Sequence, residues 1–253
     1  MPRIRAKVFA AATAATTAVM IAACAHNDQS VVILGVAAPP KPNDTGVCLF
    51  DPATKEQLFS GKVDVAIAKS YELVLRVENN IVKGANPDKV KAESNTILLT
   101  GATVKLTRPT GETIDEFTNL SSATIKAAQG STPTPGVMKA VAISPKAAQI
   151  LHDEIRRRDA EVVVIANIKV FGRTLGGIDV ESNEYPFPIT VVRGKYINFA
   201  CAPAGARTCA GTTPPTDAKD ACKAGCVLGQ DTATACQFCT GNDPACSPDV
   251  NDY

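Results

Sequence analysis

The sequence predicts a mainly β protein, an antiparallel β-sandwich with one short helix, followed by a small disulfide-rich C-terminal segment. Three observations support this fold class. Between residues 31 and 199, several short stretches alternate apolar and polar residues, which is the period of strands with one buried face. One stretch in that region, residues 144–158, has the spacing of an amphipathic helix. Beyond residue 200, seven cysteines lie among Gly, Pro, Thr and Ala, with few residues that could form a core.

The first predicted strands lie on either side of a proline-rich linker. Residues 31–36 form an apolar run typical of a strand, and residues 38–42 predict an extended linker. Residues 63–68 and 71–78 form the clearest strand pair, because both alternate in period two and only Lys69 and Ser70 separate them. The outward face of this pair is expected to be charged and solvated, and it comprises Asp64, Glu72, Arg76 and Glu78.

The middle strands show the same alternation. Residues 96–107 predict a strand, and the turn at residues 109–111 leads into a hairpin partner at residues 112–117. The expected buried face of the first of these strands comprises Leu98, Ala102, Val104 and Leu106. Residues 137–143 predict another strand after a loop rich in Gly, Ser, Thr and Pro.

Three strands are predicted near the end of the body. Residues 161–171 form a long strand whose inner face comprises Val162, Val164, Ala166, Ile168 and Val170. Residues 189–192 form the next strand, and Pro186 and Pro188 confine its entry to a sheet edge because proline lacks a backbone donor. Residues 196–199 close the body.

The single helix has signals at both ends. Ser144 is a suitable N-cap, and Pro145 fits the first helical position. The apolar stripe comprises Ala148, Leu151 and Ile155, and three arginines at residues 156–158 lie where the helix dipole favours cations. A helix between strands is expected to close one end of the sandwich.

Residues 71–106 resemble part of the Ig-like or fibronectin-like accessory domains of exported proteins. A strand that ends in Asn79-Asn80, a loop and a second long strand are also similar to the sandwich of late-embryogenesis-abundant type 2 proteins. The resemblance covers about 40 residues, contains no diagnostic motif and implies the fold alone.

The N-terminus has the order of a secretory signal. Three cations in the first seven residues precede an apolar run at residues 8–20, and small residues precede a cysteine. The last four residues resemble the lipobox of bacterial lipoproteins, and they are Ile21, Ala22, Ala23 and Cys24. The resemblance implies that the lipoprotein signal peptidase recognises the first three. Cys24 would then be the first mature residue and the site of lipidation.

A lipidated Cys24 implies a membrane-anchored protein of the cell envelope, because lipoproteins of this class carry a diacylglycerol and usually an N-acyl chain such as palmitate. Ala25 stands where aspartate would favour retention in the inner membrane, so the outer membrane is expected. Two alternatives remain open at this point. The segment could be an ordinary secretion signal, or residues 8–25 could be a retained helix, although a span needs roughly 20 apolar residues.

The predicted organisation has four parts. Residues 1–23 are the signal peptide, and residues 24–45 hold the lipidated N-terminus, the first strand and a linker. Residues 46–200 form the sandwich domain, and residues 201–253 form the cysteine-rich tail. The formal net charge of +1 becomes −2 once Arg3, Arg5 and Lys7 are removed with the leader, so no nucleic-acid partner is expected.

The cysteine count predicts disulfides. Of nine cysteines, lipidation of Cys24 leaves an even set, and an exported chain is oxidised. Cys48 is expected to pair into the Cys201 end of the chain, leaving six cysteines for three tail disulfides. The candidates are Cys48, Cys201, Cys209, Cys222, Cys226, Cys236, Cys239 and Cys246. Three sharper interpretations stay open, namely a zinc site from residues 222, 226, 236 and 239, a redox pair at residues 236 and 239, and calcium binding by the acidic end.

No catalytic motif is present. His152 is the sole histidine of the body and is expected to be structural, and the sequence contains no nucleophile elbow, P-loop or dinucleotide fingerprint. No cofactor and no catalytic residue is predicted. The expected function is a structural or protein-interaction module with an envelope protein as partner. The alternatives are a carrier or chaperone that binds an apolar ligand between its sheets, and an envelope hydrolase.

Overall fold

Two β-sheets face each other in this computed structural model, which describes residues 30–40, 48–82, 94–158, 161–199, 226–238 and 245. The helix is α1 (Pro145–Arg158). The strands are β1 (Val31–Ala37), β2 (Gln57–Leu58), β3 (Gly61–Asp64), β4 (Tyr71–Asn79), β5 (Ile97–Thr107), β6 (Thr113–Ile125), β7 (Thr134–Ile143), β8 (Val162–Thr174), β9 (Asp179–Glu181), β10 (Tyr185–Val192), β11 (Ile197–Asn198) and β12 (Thr234–Ala235). The mainly β class predicted from the sequence is confirmed.

The two large sheets have different orders. The four-stranded sheet runs β2-β1-β4-β7, so the first strand is part of the sandwich. The six-stranded sheet runs β3-β10-β8-β5-β6, with β9 beside β8. Every pairing in these sheets is antiparallel except that of β3 with β10, which is parallel. The pairing is thus antiparallel as predicted, with one parallel exception at β3.

The predicted strand pair at residues 63–68 and 71–78 is not a hairpin. β3 ends at Asp64, the chain turns, and β4 joins the other sheet. Asp64 causes this turn, since its backbone oxygen accepts hydrogen bonds from the amides of Ile67 and Ala68 at 3.1 and 2.8 Å. The Asp64 side chain is fully buried, so its predicted place on a solvated face is wrong. Its carboxylate accepts hydrogen bonds from the backbone amides of residues 66, 194 and 196 at 3.0, 2.8 and 2.9 Å.

β5 also departs from its predicted pattern. A β-bulge between Leu99 and Gly101 shifts the alternation by one residue. As a result Leu98, expected in the core, is 41% exposed, whereas Leu99 is completely buried. Ala102 and the apolar residues after it return to the predicted phase and are buried.

The predicted helix is confirmed at its start and on its buried face. The Ser144 hydroxyl accepts a hydrogen bond from the Ala147 amide at 3.0 Å, which is N-cap geometry. Ala148, Leu151 and Ile155 are buried in the core. The helix connects β7 of one sheet with β8 of the other. No helix among the described residues is both long and apolar enough to cross a membrane.

The positions of the two prolines in β10 explain why this strand tolerates them. Pro186 and Pro188 lie opposite Asn167 and Ile165 of β8. β3 pairs with β10 from Ile189 onward, so the prolines occupy the half of the strand that has β8 as its one strand partner among the described residues. The predicted edge position holds for this half of β10 and not for the half beyond it.

The space between the sheets is filled by side chains. Buried residues from both sheets and from α1 form one hydrophobic cluster. Tyr71 of β4 and Phe187 of β10 lie across this interface with ring centroids 6.2 Å apart. A cavity beside this core lies where tail residues meet the sandwich.

Candidate functional site

A disulfide joins the tail to the sandwich. Cys48 is bonded to Cys226, 178 residues further along the chain. The predicted pairing of Cys48 with the cysteine-rich end of the chain is thus confirmed, and its partner there is Cys226. Cys236 is also disulfide-bonded. The alternative of a zinc site, which the sequence left open, therefore loses the thiolates of Cys226 and Cys236, because a disulfide sulfur is not a thiolate ligand.

Other predicted site residues lie outside the part of the chain that the structure describes. They are the recognition residues Ile21, Ala22 and Ala23, the lipidation site Cys24, and the tail cysteines Cys201, Cys209, Cys222, Cys239 and Cys246. His152 is described, and its Nδ1 atom lies 3.2 Å from Oδ1 of Asp153.

Tail residues cover the edge of β3 that β10 leaves free. The Asp64 amide donates to the Gly229 oxygen at 2.8 Å, and the Asp231 amide donates to the Lys62 oxygen at 2.9 Å. Val63 and Gln230 form an antiparallel bridge between these bonds. An unpaired strand edge is a site of unwanted strand addition, so this cover protects the sandwich.

Gln230 connects the same tail segment with the start of β4. Its side-chain amide donates to the Ser70 oxygen at 2.8 Å, and its side-chain oxygen accepts from the Glu72 amide at 3.2 Å. The Gln230 side chain is buried. These two bonds fix residue 231 beside the core.

Asp231 and Tyr71 form the polar centre of this junction. The Tyr71 hydroxyl lies 3.0 and 2.9 Å from the two carboxylate oxygens of Asp231, and the Lys62 amide donates to Oδ1 at 2.9 Å. Asp231 has a φ of 56°, a left-handed conformation that aspartate tolerates better than most residues. Gly61 permits the approach, because a Cβ atom there would collide with the Tyr71 hydroxyl and lie 2.6 Å from Cζ of that ring.

The environment perturbs both titrating groups. Burial raises the pKa of Asp231, although hydrogen bonds from the Lys62 amide and the Tyr71 hydroxyl act in the opposite direction. Burial also raises the pKa of Tyr71, and the neighbouring Asp231 carboxylate and the hydrogen bond to it raise it further. The phenol therefore stays protonated and donates to the carboxylate.

A cavity of about 230 Å³ opens beside this pair. Its wall is mostly apolar and includes the Cys48–Cys226 disulfide. The apolar lining consists of Val36, Ala37, Pro39, Phe50, Leu58, Leu73, Val74 and Val227. The polar groups are Tyr71, Asp231 and an ion pair in which Lys139 Nζ lies 2.8 Å from Glu72 Oε2.

One of the two carboxylates in the cavity, that of Asp231, has no cation paired with it in the part of the chain that the structure describes. Asp231 has no ion-pair partner among the described residues, and the Lys62 ammonium lies instead 5.4 Å from the ring centroid of Tyr196. Within that part of the chain no group of three acidic, cysteine or histidine residues could hold a metal ion. A single half-buried carboxylate at the wall of a mostly apolar cavity can bind a proton or a cationic group.

Sequence reasoning missed Asp231 and Gln230 entirely. Tyr71 was expected only as an inward-facing strand residue. The hydrogen bonds that unite Tyr71 with Asp231 span 160 residues, and the tail around residue 231 has no periodic pattern. No local signal could have joined the two.

No protein-family model matches the sequence, and no curated protein matches it. Among solved structures, the chain is similar to a protein from Archaeoglobus fulgidus at 12% identity and a TM-score of 0.26, over 47% of this chain and 80% of that chain. It is also similar to a structural-genomics target solved by X-ray crystallography, at 10% identity and a TM-score of 0.27, over 64% of this chain and 87% of that chain. Similarity at this level supports no statement about function.

Proposed function

We propose that this protein is a lipid-anchored component of a bacterial cell envelope whose sandwich and stapled tail act as a non-catalytic protein-interaction module. The observation that carries the proposal is the disulfide between Cys48 and Cys226 in a chain whose leader ends in a lipobox-like sequence. Disulfides persist in oxidising compartments, and the leader is of the kind that directs a chain to one.

The anchor part of the proposal rests on Cys24. A diacylglycerol and an N-acyl chain on this residue would hold the protein at the membrane, because each buried methylene contributes roughly 0.8 kcal/mol. The absence of an aspartate at residue 25 favours the outer membrane.

The interaction part is supported by an apolar patch on the six-stranded sheet. Leu98 is 41% exposed, Leu175 63% and Ile178 59%. The Leu175 amide donates to the Thr96 oxygen, which brings the β8–β9 turn beside the start of β5. A cleft of about 710 Å³ adjoins the patch, lined by Leu98, Thr100, Phe171, Gly172, Arg173, Asp179, Val180 and Glu181. Apolar side chains grouped on a surface are typical of protein-interaction sites.

Mass spectrometry of the mature N-terminus tests the anchor. The full-length gene is expressed in a Gram-negative host beside a Cys24→Ala variant, and membranes are separated from the soluble fraction. We expect an N-terminal peptide that begins at residue 24 with the mass of the attached lipid, and loss of membrane association in the variant. An unmodified Cys24 in the membrane fraction, or a different first residue, would refute the anchor.

Site-directed photo-cross-linking tests the interaction surface. A photoreactive residue placed at Ile178 is compared with one at Glu116, an exposed position of β6 in the same sheet. We expect a discrete cross-linked envelope protein from position 178 and none from position 116. The same products from both positions would show that the patch has no specific partner.

A further inference from the structure

We propose that the cavity beside Tyr71 and Asp231 is a binding site for a small primary ammonium compound with an apolar body. This site is separate from the apolar patch on the six-stranded sheet, and it does not depend on the lipid anchor. It carries three features that together specify such a ligand: an unbalanced carboxylate, an apolar enclosure of limited volume, and open hydrogen-bond acceptor capacity.

The carboxylate requires a positive partner. The groups that donate to Asp231 are the Tyr71 hydroxyl and the Lys62 backbone amide, and both are neutral. Asp231 is half-buried, and a carboxylate partly withdrawn from water beside an apolar wall is stabilised by a cation, because a charge without a partner is costly there. An ammonium group would supply that charge where no side chain of the described residues does.

The carboxylate also has room for further donors. An ionised carboxylate offers about four acceptor positions. One Tyr71 hydroxyl proton and one amide proton occupy two of them, which leaves two for a ligand. A primary ammonium has three donors, so it can use these positions, whereas a quaternary ammonium cannot.

The volume of the cavity limits the size of the apolar part of the ligand. An engineered apolar cavity of about 150 Å³ binds benzene, so a cavity of about 230 Å³ accommodates a phenyl-sized group with a short chain. The apolar lining includes Leu58, Leu73, Val74 and Val227, together with the aromatic side chain of Phe50. The ion pair of Glu72 and Lys139 is half-exposed and contributes no net charge.

Three probes of equal shape separate the parts of this proposal. Calorimetric titration of the full-length oxidised protein uses 2-phenylethylamine, 2-phenylethanol and phenylacetate. We expect the amine to bind about tenfold or more tightly than the alcohol, since the ammonium donor carries a positive charge that the hydroxyl lacks, and phenylacetate to bind least because its charge repels that of Asp231. Equal affinity for amine and alcohol, or no binding of the amine at millimolar concentration, would overturn the proposal.

Two variants assign the binding to the cavity. Asp231→Asn keeps the side-chain shape and tolerates the left-handed backbone, and it should abolish the preference for the amine over the alcohol. Val227→Phe fills the apolar part and should weaken both probes. Glu116→Gln removes an exposed carboxylate elsewhere and should change neither affinity. If Asp231→Asn retains the tenfold preference, or if Val227→Phe binds as the wild type does, the site is not this cavity.

Discussion

Replacing Cys48 and Cys226 together with alanine should lower the free energy of unfolding by about 2–5 kcal/mol. The bond closes a loop with a sequence separation of 178 residues, and the chain-entropy relation gives about 5 kcal/mol for a loop of that length. The lower bound reflects what removal of a native disulfide from a small secreted domain typically costs. Urea denaturation under oxidising conditions measures the difference, and a serine pair at the same positions controls for the loss of sulfur contacts.

The same variant should loosen the tail in a defined place. The Lys62 and Asp64 amides donate to Asp231 and Gly229 of the tail, whereas the Val65 amide donates to Val192 at 2.9 Å. Hydrogen exchange should therefore accelerate at residues 62 and 64 and stay slow at residue 65. Unchanged exchange at all three amides, together with a loss below about 1 kcal/mol, would show that the disulfide is not what holds the tail in place.

Three further predictions concern single residues. Burial raises the pKa of Asp231 in the folded state. The wild type should therefore gain stability relative to Asp231→Asn as the pH falls through that raised pKa towards 3.8. A difference in melting temperature that does not change with pH would contradict this. Burial opposes ionisation of Asp115, but its hydrogen bonds, including that from Ser144, lower its pKa overall. Asp115→Asn should lower the free energy of unfolding by about 1–3 kcal/mol at neutral pH. In acid denaturation this difference from the wild type should vanish below the lowered pKa. Gly61→Ala should cost about 1–3 kcal/mol and displace Tyr71, seen as a lower urea midpoint and altered tyrosine resonances, and an unchanged midpoint would refute the close approach.

Features fixed by neighbouring residues could be predicted from the sequence. The inner face of β8 follows from strict alternation, and Val164, Ala166, Ile168 and Val170 are all buried as predicted. The start of α1 follows equally well, because an N-cap serine needs only an amide three residues further on. In both cases the physical cause lies within a few residues of the effect.

Features that depend on residues distant in the sequence could not be predicted from it. Alternation places Asp64 outward, but two of the amides that donate to its buried carboxylate lie about 130 residues away, and a third is that of Ala66. These hydrogen bonds offset the cost of burying the charge. The exposed Leu98 has a similar origin, since the bulge beside Gly101 depends on pairing with both neighbouring strands. The cavity was the hardest feature to predict, because the two residues that define it, Tyr71 and Asp231, are 160 residues apart in the sequence.

The contacts of residues 229–231 explain how a tail segment with few apolar residues packs against the sandwich. Residues 229–231 contribute almost no buried hydrophobic surface, so burial could not offset the entropy of fixing them. Other contacts replace it: backbone bonds to β3, the Gln230 bridge to β4, the bonds of the Asp231 carboxylate to Tyr71 and the Lys62 amide, and the disulfide at Cys226. The first two are individually worth about 1 kcal/mol, too little to hold a free segment. The covalent bond removes most of that entropic cost in advance. Oxidation therefore decides whether the β3 edge is covered and whether the carboxylate of Asp231 stands in the cavity.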